Sequence, residues 1–197
     1  MIVTREEHPS GLGFLIAGPV VAAIGVPFSL LGSDAWRKSC GPTNSDLECS
    51  GGTVRSVASH TVSLLSYTTG IVLTGVGGQR YGRYSASEDA RVRGRVHDRS
   101  GAVLAGAILL PASLVGMITA RTLYWIPTPR CETENCVKTY QRASTAVVGG
   151  FALAASASAG LLFYGASYKG WVAKNVKLSV APNIGRGSGG LVLRGEF

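Results

Sequence analysis

Four cysteines form two pairs, and paired cysteines can do one of two kinds of chemistry. Cys40 and Cys49 have eight residues between them, and Cys131 and Cys136 have four. Such pairs form disulfides in an oxidising compartment or bind zinc as thiolates. Zinc knuckles usually separate their cysteines by two to four residues, and neither segment here contains a histidine. We therefore favour disulfides over zinc. Of the three pairings allowed, the local one (Cys40 with Cys49, Cys131 with Cys136) closes the shortest loops.

A stripe of polar and small residues marks one apolar stretch of the chain. His60, Ser63, Tyr67 and Gly70 follow at steps of three or four residues, so they share one face of a helix. His60 is the only acidic or basic side chain well inside an apolar stretch, which makes it a functional hypothesis by default. It also lies about one turn from the start of that stretch, close enough to reach a membrane interface. We predict a candidate intramembrane polar site at His60 and Tyr67.

Motifs of the common enzyme classes are missing from the sequence. There is no P-loop, no H-E-x-x-H and no G-x-S-x-G. No Asp, Glu, Lys or Arg lies deep in an apolar stretch, and ion-coupled carriers usually need such a residue. A proton- or sodium-driven carrier is therefore disfavoured. We expect no catalytic residue, no metal and no cofactor.

The elements that must position these residues are four apolar runs without charge. They cover Gly11–Gly32, Ser56–Gln79, Ser100–Ala120 and Ala143–Tyr168. Each is close to the roughly 20 residues that a helix needs to cross a bilayer core. Only 15% of the 197 residues are charged, whereas soluble domains carry about 25%. The sequence therefore predicts an all-α membrane fold, a bundle of four transmembrane helices.

The basic residues are distributed unevenly along a chain of formal net charge +8. The segment between the second and third runs contains six arginines, and the tail is basic too. Cytoplasmic segments carry the excess of Lys and Arg, so we place both termini in the cytoplasm of a bacterial inner-membrane protein and the cysteine loops in the periplasm. We expect contact with anionic lipid rather than nucleic acid. The arginines assigned to topology and lipid contact are Arg80, Arg83, Arg91, Arg93 and Arg95.

The two halves of the chain resemble each other. Residues 13–18 align with 101–106, residues 70–75 align with 160–165, and the cysteine pairs align as well. Each half then consists of a helix, a cysteine-paired loop and a helix, which predicts a parallel duplication. Small residues at these positions let membrane helices approach closely. The predicted helix-packing positions are Gly70, Gly75, Gly160 and Gly165.

The predicted organisation has five segments. They are a cytoplasmic N-terminus (1–10), a first helix pair with its disulfide loop (11–79), an Arg-rich cytoplasmic loop (80–100), a second helix pair with its disulfide loop (101–168) and a cytoplasmic tail (169–197).

Alternating apolar residues in the tail predict a short β-hairpin. The alternation covers Val176–Val180 and Leu191–Phe197, on either side of a glycine cluster. The end of the tail, Gly189-Gly-Leu-Val-Leu-Arg-Gly-Glu-Phe197, resembles the tails of uncharacterised envelope proteins from myxobacteria-like organisms. That resemblance covers about one tenth of the chain and implies no activity. The hairpin edge could pair with a strand of another chain.

The arrangement as a whole is similar to that of the DsbB-type thiol–quinone oxidoreductases, bacterial inner-membrane enzymes that regenerate disulfides. Four spans, cytoplasmic termini and a cysteine pair in each outer loop carry the resemblance. It implies that the cysteines pass electrons to a bound quinone, and that Arg55 stands where that family's quinone-binding arginine does. The first pair here is C-x8-C, whereas that family has C-x-x-C, the close spacing that keeps a pair redox-active.

Three functions follow from these observations. The favoured one is a non-enzymatic structural or accessory subunit of an envelope complex, with a protein partner or a second copy in the bilayer. The alternative is a membrane thiol–quinone oxidoreductase, with quinone as its cofactor. The second alternative is a small pore or passive transporter lined by His60 and Tyr67.

Overall fold

The computed structural model describes residues 10–40, 46–93, 96–125, 133–185 and 188–196. Nearly all of the described chain before residue 176 is helical, and a π-helical turn at Asp89–Arg93 extends the second helix. The four helices are α1 (Leu12–Ser39), α2 (Asp46–Glu88), α3 (Ser100–Trp125) and α4 (Glu134–Asn175).

Three of the four helices are long and apolar enough to cross a membrane, judged by length and composition. They are α1, α3 and α4, with mean hydropathies of 2.2, 2.1 and 1.9 in their most apolar windows. The second helix, which contains the predicted span 56–79, is not among these candidates, because serine, threonine, glycine and histidine lower its hydropathy. The prediction of helices able to cross a membrane is thus confirmed for three of the four runs.

The helices pack as two antiparallel pairs, and the two pairs contact each other chiefly through their longer helices. The first pair is α1 with α2 and the second is α3 with α4, and each pair joins a shorter helix to a longer one. The bundle centre is the contact of α2 with α4, and α1 also packs on α4. This order of elements agrees with the predicted duplication, which itself stays a prediction.

The two longer helices continue beyond the apolar runs. The helical part of α2 extends to Glu88, across the first residues of the segment predicted to be a loop (80–100). Similarly, α4 extends to Asn175, into the predicted tail. The last turns of both helices thus lie within the segments predicted as the Arg-rich loop and the tail. A change from apolar to polar residues ends the part of a helix that suits lipid, but it does not interrupt backbone hydrogen bonding.

Small residues fill the interior of the bundle and large apolar ones cover its outside. Ala22, Ala152 and Ala159 are at most 1% exposed. Large apolar side chains are exposed on every helix, among them Ile16, Leu65, Leu104 and Leu161. A water-soluble bundle would place its large apolar residues inside, whereas membrane helices associate through small residues. The side-chain distribution thus agrees with the hydropathy of the helices.

After α4 the backbone follows two antiparallel strands, β1 (Lys177–Gly185) and β2 (Ser188–Glu196). Lys177 lies opposite Glu196, and Gly185 opposite Ser188. The pairing of this segment with another chain stays a prediction.

Candidate functional site

Three glycines of α1, spaced by seven residues, make room for polar side chains of α2. A Cβ atom on Gly25 would lie 2.6 Å from Cε1 of Tyr67, and a Cβ on Gly32 would lie 2.6 Å from Cε1 of His60. The facing residues on α2 are also seven positions apart, and their order along the chain is reversed because the two helices are antiparallel. We call these contacts the glycine notches. They pair Gly18 with Thr74, Gly25 with Tyr67, and Gly32 with His60.

Tyr67 lies at the centre of the bundle. Its side chain is 3% exposed and belongs to a buried cluster with Ala22 of α1 and with Val148 and Ala152 of α4. Among the described residues, its hydroxyl has no hydrogen-bond partner. Ser63, one turn earlier, lies beside this hydroxyl without a hydrogen bond of good geometry. Tyr67 thus carries a buried polar atom that the described protein groups leave unsatisfied.

His60 is only partly buried, but it carries the second buried polar atom at this site. Its Nδ1 atom also has no hydrogen-bond partner within the described part of the chain. The structure therefore places the two predicted site residues on the seam between α1 and α2, about two helical turns apart.

A buried group of hydroxyls joins α2 to α4 further along the bundle. The hydroxyls of Thr74 and Ser156 are 2.6 Å apart. The carbonyl oxygen of Gly70 accepts within the same group, since it lies 2.8 Å from the Thr74 hydroxyl and 3.3 Å from the Ser156 hydroxyl. Each hydroxyl has one proton, so one of them donates to the other and the second donates to this carbonyl. Polar contacts of this kind hold membrane helices together, and this one crosses the central seam.

A second polar cluster lies where α2 ends. Asp89 begins the π-helical turn, and its side chain is only 7% exposed. The hydroxyl of Tyr168 on α4, a fully buried residue, donates to Oδ2 of Asp89 at 3.0 Å and accepts from the backbone N–H of His97 at 3.1 Å. This cluster therefore fastens the connection between the two halves to the last turns of α4.

Two basic side chains complete this second polar cluster. Nδ1 of His97 lies 3.7 Å from Oδ2 of Asp89, and Nη2 of Arg99 lies 3.9 Å from the same atom. The Arg99 guanidinium also lies over the rings of Tyr168 and Tyr164, at 5.4 Å and 5.8 Å from their centroids. Sequence reasoning missed this cluster, because its members are up to 79 residues apart and form no local pattern. The glycine spacing in α1 was visible in the sequence and was also missed.

The cysteines lie at the opposite end of the bundle. Cys40 and Cys49 form a disulfide that joins the end of α1 to the first turn of α2. Cys136 is also disulfide-bonded, and its predicted partner Cys131 lies outside the described residues. No group of residues suited to hold a metal ion occurs in the part of the chain that was described.

The predicted arginines have different surroundings. Arg80 and Arg83 lie on α2, and the Arg80 guanidinium lies over the ring of Phe14 at 5.1 Å. Arg91 is 3.6 Å from Glu88. Arg93 ends the π-helical turn, Arg95 lies outside the described residues, and Arg55 is exposed on α2.

All four predicted packing glycines lie at contacts between helices. A Cβ on any of them would approach a neighbouring helix to 3.1 Å or less. The nearest neighbours are Gly18 for Gly70, Phe163 for Gly75, Thr74 for Gly160 and Val103 for Gly165.

No protein-family model matches this chain, and no curated protein or solved structure matches it. The two resemblances drawn from the sequence therefore stay predictions.

Proposed function

We propose that this protein is a multi-pass membrane protein with a structural role, an accessory subunit of an envelope complex rather than an enzyme. The observation that carries the proposal is the distribution of side-chain size across the bundle. Helix seams are filled by glycine, alanine and serine, and large apolar residues face outward. Such a molecule presents apolar helix faces to lipid and to other membrane helices, which is what a membrane scaffold needs.

The outer side of α3 is where we place the partner. Only 11% of its apolar window is buried, against 22% for α1 and 44% for α4. This follows from the packing, because α1 packs on both α2 and α4, whereas α3 packs chiefly on α4. The residues on the open side are large and apolar. They are Leu104, Ile108, Val115 and Ile118, each about 60% exposed.

We place both termini in the cytoplasm of an inner-membrane protein. Arginines and tyrosines gather at the same end of the bundle, which supports this orientation, because basic residues favour the cytoplasmic side and aromatic rings favour the interface. The ring centroids of Tyr81 and Tyr164 are 5.8 Å apart there, and Arg80 and Arg99 lie at the same end. The disulfide at the opposite end fits an oxidising periplasm.

Site-specific photo-crosslinking in native membranes tests the proposal. A photoreactive amino acid replaces Leu104 or Val115 on α3, and the matched control carries it at Val20 or Ile24 on α1. We expect the α3 sites to link to one defined protein at high yield and the α1 sites to link to lipid alone.

The proposal would be contradicted by a different result. If α3 and α1 both link only to lipid, and the protein extracted from native membranes has the mass of a monomer, it has no protein partner. Thiol-oxidising activity that depends on added quinone would instead favour the oxidoreductase.

A further inference from the structure

The face of α2 that meets α4 repeats small residues every fourth position. Each four-residue step turns about 40° around the helix, so a short series of this kind follows the line along which a tilted neighbouring helix packs. The series is Thr74, Gly78, Gly82 and Ala86.

Residues of α4 pack onto this series at a constant separation. Thr74 meets Ser156, Gly78 meets the carbonyl of Gly160, and Gly82 meets the carbonyl of Tyr164. In each pair the two residues are 82 positions apart. Because the next small residue of α2 always lies one turn away, α4 would find nearly the same surface if it moved by one turn. The small-residue packing between α2 and α4 therefore does not distinguish one position from the next.

Two specific polar contacts do distinguish one position from the next. We call the hydroxyl pair of Thr74 and Ser156 the outer contact. We call the hydrogen bond from Tyr168 to Asp89 the inner contact. A shift of one turn would separate both pairs and leave the buried carboxylate of Asp89 without the Tyr168 hydroxyl. Single polar residues set the register of otherwise uniform helix pairs in the same way.

We propose that the α2–α4 contact is a sliding interface, held in one register by the outer and inner contacts. Since α3 packs on α4, the second helix pair would move as a unit along α2. One turn corresponds to four residues, or about 6 Å. Shifts of one helical turn between packed elements are a known form of conformational change.

The inner contact is the one that can be reached from water. His97 and Arg99, which flank Asp89, have side chains that are 49% and 36% exposed. Thr74 and Ser156 are 3% and 0% exposed. A partner that binds His97 and Arg99 could therefore change the register through the inner contact, while the outer contact is closed to direct binding.

Distance measurements between spin labels test this in protein reconstituted into lipid. Spin labels are attached at V62C on α2 and K174C on α4, because both positions are exposed. These sites are separated mainly along the bundle axis, so a slide changes their distance directly. We expect one narrow distance for the parent protein, and a second population displaced by about 6 Å when T74V, S156A and Y168F are combined.

Matched variants separate the contacts from general loosening. Y164F alters a tyrosine one turn from Tyr168, whose ring also lies under Arg99, and S157A alters an exposed neighbour of Ser156. Both should keep the single parent distance. If the triple variant does not fold, the pairs T74V/S156A and S156A/Y168F are measured, and each should broaden the distribution.

One result overturns the proposal. If the folded triple variant, or both folded double variants, keep the single parent distance, packing and not the polar contacts fixes the register. The distance measurement does not require an envelope partner, so its failure can be distinguished from a failure of the proposed function.

Discussion

The two helix pairs have the same order of elements, yet they fill their seams with different chemistry. In the first pair, glycines of α1 receive the polar side chains of His60 and Tyr67. In the second pair, a Cβ on Gly106 would lie 2.7 Å from Cβ of Leu162. Gly116 is similarly close to the ring of Phe151. A shared backbone geometry therefore supports a polar seam in one half and an apolar seam in the other.

This difference matches how each half is enclosed. The first pair is covered by α4, which contributes Val148 and Ala152 to the cluster around Tyr67. The second pair has an open outer side on α3, where Leu104 and Ile108 are exposed. A polar seam must be shielded from lipid, because an unsatisfied polar group in hydrocarbon costs several kcal/mol. An apolar seam needs no such shield.

Filling a glycine notch should have the largest effect. The substitution Gly25→Leu places a side chain where Tyr67 lies, so we expect a loss of about 3 kcal/mol in unfolding free energy, or failure to fold. Gly13→Leu is the control, since nothing lies within 4 Å of that position. Thermal unfolding in detergent measures both. Equal stability of the two variants would contradict the close approach of α1 and α2.

Removing the first disulfide should have the next largest effect. The double variant Cys40→Ser/Cys49→Ser opens the loop between α1 and α2, and we expect a loss of about 2–3 kcal/mol. Thermal unfolding of the parent protein and of the variant, each with and without reductant, checks this. Reductant should destabilise the variant less than it destabilises the parent, because the variant has no disulfide between α1 and α2 to lose. A variant of parent stability that has lost quinone-dependent thiol oxidation would point to a redox role instead.

Replacing tyrosine by phenylalanine should change the unfolding free energy in opposite directions at two positions. Tyr168→Phe removes a hydrogen bond to a buried carboxylate, so we expect a loss of about 1.5 kcal/mol. Tyr67→Phe removes a buried hydroxyl without a described partner, so we expect a gain of about 1 kcal/mol. Unfolding of the two variants under identical conditions is the measurement. A loss of stability in Tyr67→Phe would mean that the hydroxyl binds water or a ligand.

The smallest expected effect concerns the start of α3. Hydrogen bonds from the hydroxyl and backbone N–H of Ser100 lower the pKa of Asp98 below its ordinary value of 3.8. Because the folded pKa is the lower one, this contribution is fully present above about pH 4 and is lost as pH falls through the folded value. Asp98→Asn should abolish that part of the acid dependence.

The start of α4 provides the comparison for this experiment. Its cap is the hydroxyl of Thr133, which accepts from the backbone N–H of Cys136 and does not titrate. Thr133→Ala should therefore lower stability by the same amount at pH 3 and pH 7. If Asp98→Asn leaves the acid dependence of unfolding unchanged, Asp98 is not the group responsible.

The sequence by itself determined the helices and their local connections. Hydropathy is a sum over neighbouring residues, so the apolar runs located all four helices, and the close spacing of Cys40 and Cys49 indicated their disulfide. The stripe of His60 and Tyr67 placed both on one face, because helix geometry fixes which residues share a side. Where α2 and α4 end was not determined, because a polar helix end looks like a loop by hydropathy.

Only the tertiary structure decided how the two halves meet. The sequence alignment relates Gly70 to Gly160 at an offset of 90 residues, but the helices pack at a separation of 82. The second pair is therefore displaced along α2 by eight residues, or about 12 Å. This displacement brings Tyr168 to Asp89, which no local pattern could indicate. Helix formation depends on near neighbours, whereas the register of two packed helices depends on contacts between residues that are distant in the chain.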